Sequence, residues 1–124
     1  TEINKRILIV EDNHSLRLLY EDFLTYHGFL VLAFSGGASA FESLHDFRPG
    51  LILLDLKLEE NNGLSFLERL LCSEWCDVPV IVLSAVVRQD SRDRALALGA
   101  KAFLLKPPRL DYLLELCNQL CRDG

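Results

Sequence analysis

Apolar and polar positions along this chain fall into two alternating kinds of block. Short apolar runs occupy Arg6–Val10, Phe29–Phe34, Leu51–Asp55, Pro79–Ser84 and Ala102–Leu105. Between and after them the apolar residues return at intervals of three and four. The sets are Leu16, Leu19, Tyr20, Phe23 and Leu24; then Ala40, Phe41, Leu44 and Phe47; then Leu64, Leu67, Leu70 and Leu71. Ala95, Leu96 and Leu98 follow, and last Leu110, Leu113, Leu114, Cys117, Leu120 and Cys121. The runs predict strands and the spaced sets predict helices. Gly28 stops the first helix, and Pro49-Gly50 breaks the second, which spans Ala38 to Phe47. The polar loop from Leu56 ends at Gly63, a residue available for positive φ ahead of the third helix. The fourth helix ends at Gly99.

Strand and helix thus alternate five times, with connections of the length found in βα units. That order predicts an α/β fold, a doubly wound five-stranded parallel sheet with five helices on its two faces. Leu51-Ile52-Leu53-Leu54 is an unbroken apolar run, which fits a strand buried on both faces in the middle of such a sheet. The run has no local use for a carboxylate, yet it ends in Asp55. Two readings are open at this point: Asp55 caps the following turn, or it stands at the carboxyl edge, where open α/β sheets bind their ligands.

Composition narrows the class. With 124 residues the chain is read as a single domain, residues 1–124, which either stands alone or belongs to a longer protein. Thirteen basic against eighteen acidic residues give a net charge of −5, without the basic footprint of a nucleic-acid binder. The longest apolar segment, Val78 to Val87, contains Pro79 and Ser84 and falls short of the roughly 20 residues a membrane span needs. The polar start, Thr1 to Arg6, has no signal-peptide pattern, so a cytoplasmic protein is expected. Cys72/Cys76 and Cys117/Cys121 are spaced by three residues rather than the two of a zinc knuckle. Four free thiols, core or half-buried, are expected in a reducing compartment.

The residues at the ends of the strands carry the chemistry. Glu11 and Asp12 follow the first strand, Asp55 the third, Ser84 the fourth and Lys106 the fifth, whereas the second offers only Ser35. Three carboxylates in one volume repel one another, and a hard divalent cation with oxygen ligands, Mg²⁺ above all, keeps them ionised. Ser84 adds a hydroxyl donor and Lys106 a mobile positive charge, so that with the metal they can neutralise a phosphoryl group. The chemistry suggested is attack by the Asp55 carboxylate on phosphorus to give an acyl phosphate.

With Val10-Glu11-Asp12-Asn13, Leu53-Leu54-Asp55-Leu56, Gly63 eight residues past Asp55, Ser84-Ala85, Gly99-Ala100 and Lys106-Pro107, nearly the whole chain resembles the receiver domains of two-component response regulators. The resemblance implies a flavodoxin-like sheet of strand order 2-1-3-4-5. It implies that Asp55 takes phosphate from the phosphohistidine of a sensor histidine kinase or phosphotransfer protein. Mg²⁺ would be held by Asp12, Asp55 and the backbone carbonyl of Lys57, with Glu11 assisting through water. Ser84 and Lys106 would bind the phosphoryl oxygens, and the Lys106-Pro107 bond would be cis. Phe103, three residues before the lysine, would be the aromatic that turns as Ser84 moves, altering the surface of the fourth helix and fifth strand. Its competing reading is a plain core aromatic.

The chain departs from the family pattern at three places. Glu59 stands where proline is usual, Pro108 where an aromatic commonly follows Lys-Pro, and Lys57 puts a cation two residues past Asp55. Tyr112 and Leu116 lie off the core stripe of the last helix, and Val86 and Val87 follow Ser84. Together they are candidates for a docking patch, a homodimer contact included, against the plainer reading of isolated surface apolars. His27 reads as a helix-end residue, His14 as a solvated loop histidine and Trp75 as either packing or partner contact. Three other functions compete: an aspartyl-phosphate hydrolase, a flavodoxin-like flavin carrier and a receiver-like docking module that takes no phosphate. The first wants its nucleophile after strand one with a second acid two residues on. The second wants a Ser/Thr/Gly-rich loop where Glu11-Asp12-Asn13 stands. The third usually lacks some of the five edge residues.

Overall fold

Every apolar run identified in the sequence pairs with a neighbour in the computed structural model, which describes residues 3–57, 63–85 and 88–121. The elements in chain order are β1 (Arg6–Val10), α1 (His14–Tyr26), β2 (Leu30–Phe34), α2 (Gly37–Glu42), α3 (Leu44–Phe47) and β3 (Leu51–Asp55). There follow α4 (Gly63–Leu71), β4 (Val80–Ser84), α5 (Gln89–Ala97), β5 (Ala102–Leu105) and α6 (Leu110–Leu120). The sheet order is β2-β1-β3-β4-β5 with all pairs parallel, the expected 2-1-3-4-5.

Side-chain alternation divides the sheet into two packed layers. Odd-numbered residues of the three central strands, Ile7, Ile9, Leu51, Leu53, Ile81 and Leu83, pack with Tyr20 and Leu24 of α1 and Leu113 and Cys117 of α6. Even-numbered ones, Leu8, Val10, Ile52, Leu54, Val80 and Val82, pack with Ala40, Leu44, Phe66, Leu67, Leu70 and Ala95 from α2 to α5. Strand β3, hydrogen-bonded between β1 and β4, is buried throughout, which explains why its sequence shows no alternation.

Several expectations shift at the level of single residues. The expected helix from Ala38 to Phe47 is two, because Ser43 ends α2 and begins α3, its Oγ donating to the Ala40 carbonyl at 2.6 Å. A serine hydroxyl that satisfies a carbonyl of the preceding turn competes with continuation of the helix. Leu19, Leu71 and Leu96, counted toward the core, are exposed. In α4 the core stripe runs through Phe66, Leu67 and Leu70, a rotation of about 100° per residue that leaves Leu71 outside. Leu116, placed off the core stripe of α6, is partly buried against the α1/α6 layer, so only Tyr112 of that pair is exposed. Gly28 has φ +93 and stops α1 as expected. His27 caps α1, its ring edge-on to Phe23 and Tyr26. Trp75 packs partly against the α2–α5 layer, near His45. All four cysteines are free thiols, as expected, but only Cys117 and Cys121 are buried in the core; Cys72 and Cys76, expected to be core or half-buried, are exposed, because they follow the end of α4. Among the described residues no helix is long and apolar enough to cross a membrane.

Candidate functional site

At the carboxyl edge the same alternation that sorts the core sorts the polar residues. Asp55 continues the odd-numbered face of β3, and Glu11 follows Ile9 on the odd-numbered face of β1, its N–H still donating to Phe34 O at 2.9 Å. Both carboxylates therefore rise from the α1/α6 layer. The β1–α1 turn holds Glu11 in place: Asn13 N donates to Glu11 Oε2 at 3.1 Å, and Arg17 Nη1 donates to the Glu11 carbonyl at 2.9 Å. Asn13 accepts from Leu16 N at 3.0 Å and caps α1, so one three-residue stretch ends a strand, starts a helix and aims a carboxylate. His14 is exposed, its Nδ1 3.0 Å from Arg17 Nη2.

Asp55 is only 4% exposed. Its Oδ1 accepts from Lys57 N at 3.2 Å and lies 3.2 Å from Lys106 Nζ. The ammonium also lies 2.7 Å from Glu11 Oε1, a contact of charge without an aligned hydrogen bond. Lys106 reaches this position because its N–H donates to the Ser84 carbonyl at 2.8 Å and its bond to Pro107 is cis, as expected. Gly63 passes directly over the end of β3. A Cβ there would lie 2.7 Å from the Asp55 carbonyl oxygen and 2.8 Å from Leu56 Cα. Positive φ was the expected use of this glycine, whereas the structure gives close approach as its reason.

Burial pushes the Asp55 carboxyl up to about 7, helped by the charge and hydrogen bonding of Glu11 and opposed by Lys106 and the Lys57 N–H. Ligand atoms of Glu11, Asp12 and Asp55 all lie within 4.8 Å of one another. A set of hard oxygen donors whose central carboxylate retains its proton near neutrality is short of positive charge, and this fits Mg²⁺. A cleft of about 530 Å³ opens beside it, lined by Asp12, Asn13, Leu16, Asp55, Lys57, Ala85, Lys106 and Pro107. Ser84, 6% exposed, ends β4, and Phe103 pairs with Val82 and packs partly buried against the α2–α5 layer. Both belong to the even-numbered side of the sheet.

The edge thus brings together Glu11, Asp12, Asp55, Lys57 and Lys106. Ser84 is one residue beyond Leu83, the register partner of Asp55. Tyr112 lies away from the cleft's lining, 47% exposed on α6. Val86, Val87 and Glu59 lie outside the described residues. Two features escaped the sequence reading. The Glu11–Lys106 contact had no local signal, since the residues are far apart in the chain. Tyr20, counted only as a core residue, brings a buried hydroxyl to the same side of the sheet, and a tyrosine in a leucine stripe is the signal that could have found it.

The profile described as "response regulator receiver domain" matches residues 7–118. The chain is 33% identical over 115 residues to the chemotaxis protein CheY of Bacillus subtilis, covering 92% of this chain and 95% of that one. Among solved structures, a response regulator receiver protein from Pseudomonas putida superposes with a TM-score of 0.90 at 30% identity, covering 96% of this chain and 99% of that one. The receiver domain of the Pseudomonas aeruginosa sensor histidine kinase PA1611, described with a magnesium ion coordinated in its active-site cleft, gives a TM-score of 0.86 at 28% identity, covering 95% and 98%. Other similar proteins are longer regulators, of which this chain spans 25% or 34%.

Proposed function

Since the chain belongs to the response regulator receiver domain family of two-component signalling, we propose that Asp55 is its phosphoacceptor and that the donor is a phosphohistidine of a sensor histidine kinase or phosphotransfer protein. An Asp55 carboxylate oxygen attacks phosphorus, the P–N bond breaks, and the donor imidazole keeps the electron pair and regains a proton from solvent. The product is an acyl phosphate on Asp55. Lys106, 3.2 Å from Asp55 Oδ1, shifts from the carboxylates to a phosphoryl oxygen. The Ser84 hydroxyl donates to another. Asp12, Asp55 and the Lys57 carbonyl would hold Mg²⁺, with Glu11 assisting through water. The ion would supply positive charge both to the carboxylate cluster and to the phosphoryl oxygens. Release to water ends the signal, and no other substrate is turned over.

Ser84 and Phe103 form the switch. They stand on the same side of the sheet, on neighbouring strands β4 and β5. Movement of the serine toward the phosphoryl group opens space into which Phe103 turns, reshaping the surface formed by α5, β5 and α6.

One observation carries this reading. A buried aspartate at the carboxyl end of the central strand sits 3.2 Å from a lysine ammonium, inside a cluster of three carboxylates within 4.8 Å. The test is incubation with Mg²⁺ and a small acyl-phosphate donor, followed by intact mass. One added phosphoryl group is expected in the wild type and none in Asp55→Asn. A phosphoryl group that persists in the variant would falsify the assignment.

A further inference from the structure

Glu11 and Asp12 are neighbours in the chain, yet ligand atoms of both lie within 4.8 Å of one another and of Asp55. An extended strand cannot achieve this, because its successive side chains point to opposite faces of the sheet. The chain must therefore turn between the two residues. It does so here: β1 stops at Val10, and Asp12 sits in a bend. The group that defines the turn is the peptide joining Glu11 to Asp12. That peptide is planar, so the direction of the Glu11 carbonyl fixes the plane from which Asp12 departs.

That carbonyl has left the sheet. Among the described residues no backbone N–H donates to it, and its partner is Arg17 Nη1 at 2.9 Å. The guanidinium comes from α1, six residues further along the chain, on a half-buried side chain. Its other end is engaged as well, since Nη2 lies 3.0 Å from Nδ1 of His14, three residues back on the same helix. Arginine has no acceptor atom, so both contacts are donations, and a planar fork held at two points has little freedom left. The backbone of Arg17 is tied to the same turn, its N–H donating to the Asn13 carbonyl at 2.9 Å. Resting on the reading of Glu11, Asp12 and Asp55 as the cation cluster, we infer that Arg17 is a positioning residue for it. By holding the Glu11 carbonyl it sets the Glu11–Asp12 peptide so that both carboxylates face the Mg²⁺ site. Arg17 is not among the residues that line the cleft and touches no reacting atom. A positive charge beside a cation site opposes metal binding by its field, so whatever Arg17 contributes it contributes through geometry.

The test is calorimetric titration of the unphosphorylated protein with Mg²⁺ alone, comparing the wild type with Arg17→Met, which keeps an apolar stem and removes the donors. The sign of the change separates the two effects. Loss of a positive charge by itself tightens Mg²⁺ binding, whereas loss of the positioning bond weakens it. Arg17→Met is expected to bind Mg²⁺ about tenfold more weakly, the scale on which removing a partner behind a metal ligand acts. Arg17→Ala is measured alongside, since alanine and methionine both suit a helix interior, and should weaken binding likewise. A urea titration first shows that each protein is folded in the titration buffer, so that a loss of stability alone leaves the affinity unchanged. Phosphorylation by the small acyl-phosphate donor, followed by intact mass, gives a second readout. Its half-saturating Mg²⁺ concentration should rise by the same factor in Arg17→Met, while the rate at saturating Mg²⁺ returns toward that of the wild type. Equal or tighter Mg²⁺ binding by the two variants overturns the inference, and so does an unchanged half-saturating concentration. If the wild type itself binds no Mg²⁺, the cation reading falls and this inference falls with it; a wild type that binds Mg²⁺ no more tightly than Arg17→Met leaves that reading standing.

Discussion

At the scale of single residues, the site is a set of charges held at a cost. Moving a carboxylate out of water costs several kcal/mol, whereas each fully buried Leu or Ile of β3 contributes about 2 kcal/mol. The four apolar residues of that strand thus offset one Asp55. The cost has a sign that pH exposes. The Asp55 carboxyl is raised from an ordinary 3.8 to about 7, so between these values the folded state binds more protons than the unfolded one. Stability from this group is fully present below about pH 4 and is lost as pH rises to about 7. Since one pKa unit corresponds to about 1.4 kcal/mol, even part of the shift is measurable. Metal-free Asp55→Asn should therefore melt higher than the wild type at pH 8 and show a flatter profile from pH 4 to 8. Equal melting temperatures at pH 8 would contradict the burial argument. Lys57, exposed but with its N–H on Asp55 Oδ1, puts a positive charge at the rim where water must approach. Lys57→Ala is expected to change the lifetime of the phosphorylated form, read as the decay of the added mass, and an unchanged half-life counts against that role.

At the scale of elements, the sheet was legible because its signal is local. Unbroken apolar runs ending in polar residues marked the strands to within a residue or two, and the edge chemistry could be read off their last positions. Helix faces were less legible. Leu71 and Phe66 both satisfy a three-and-four spacing with Leu67 or Leu70, and only packing chooses Phe66. The α2–α3 break depends on the hydroxyl of Ser43 finding the Ala40 carbonyl, a contact that no periodicity announces. Gly63 was recognised for its position while its reason was hidden, because the atoms it must clear belong to another element. Gly63→Ala places a Cβ against backbone at the end of β3 and is expected to destabilise by about 1–3 kcal/mol. Gly36→Ala, which meets nothing within 4 Å, should stay close to the wild type in the same denaturant titration. Equal midpoints for the two variants would remove close approach as the explanation.

For the whole molecule, two layers of different character flank the sheet. The α1/α6 layer buries Cys117 and Cys121, whose thiols burial pushes up to about 12, while Cys72 and Cys76 are exposed near α4. A thiol reagent at pH 8 should titrate two sites quickly in the native protein and all four only after denaturation; four fast sites would argue against the packing of α6. Assembly is a separate question. Tyr112 is exposed on α6, and Leu105, 54% exposed, ends β5, so a small apolar area is available on the surface that Phe103 would reshape. If a second copy docks there, sedimentation with a phosphate mimic should reveal a dimer that Tyr112→Ala weakens. A monomer with and without the mimic removes that proposal. The sequence placed Glu11 and Lys106 at one edge but not in contact, because their 2.7 Å approach depends on how far the lysine side chain reaches across β4 and β3.

The alternation along the strands has one more consequence. Asp55, Glu11 and Lys106 are rooted in one layer, Ser84 and Phe103 in the other, and the rim of the sheet is where these two sets come together. The sheet acts as a partition between two rooms, with a doorway at its carboxyl edge. Anything that settles in the doorway leans on both frames at once. A substitution deep in either room, far from the threshold, can therefore tune the same event, and the two rooms need not answer alike.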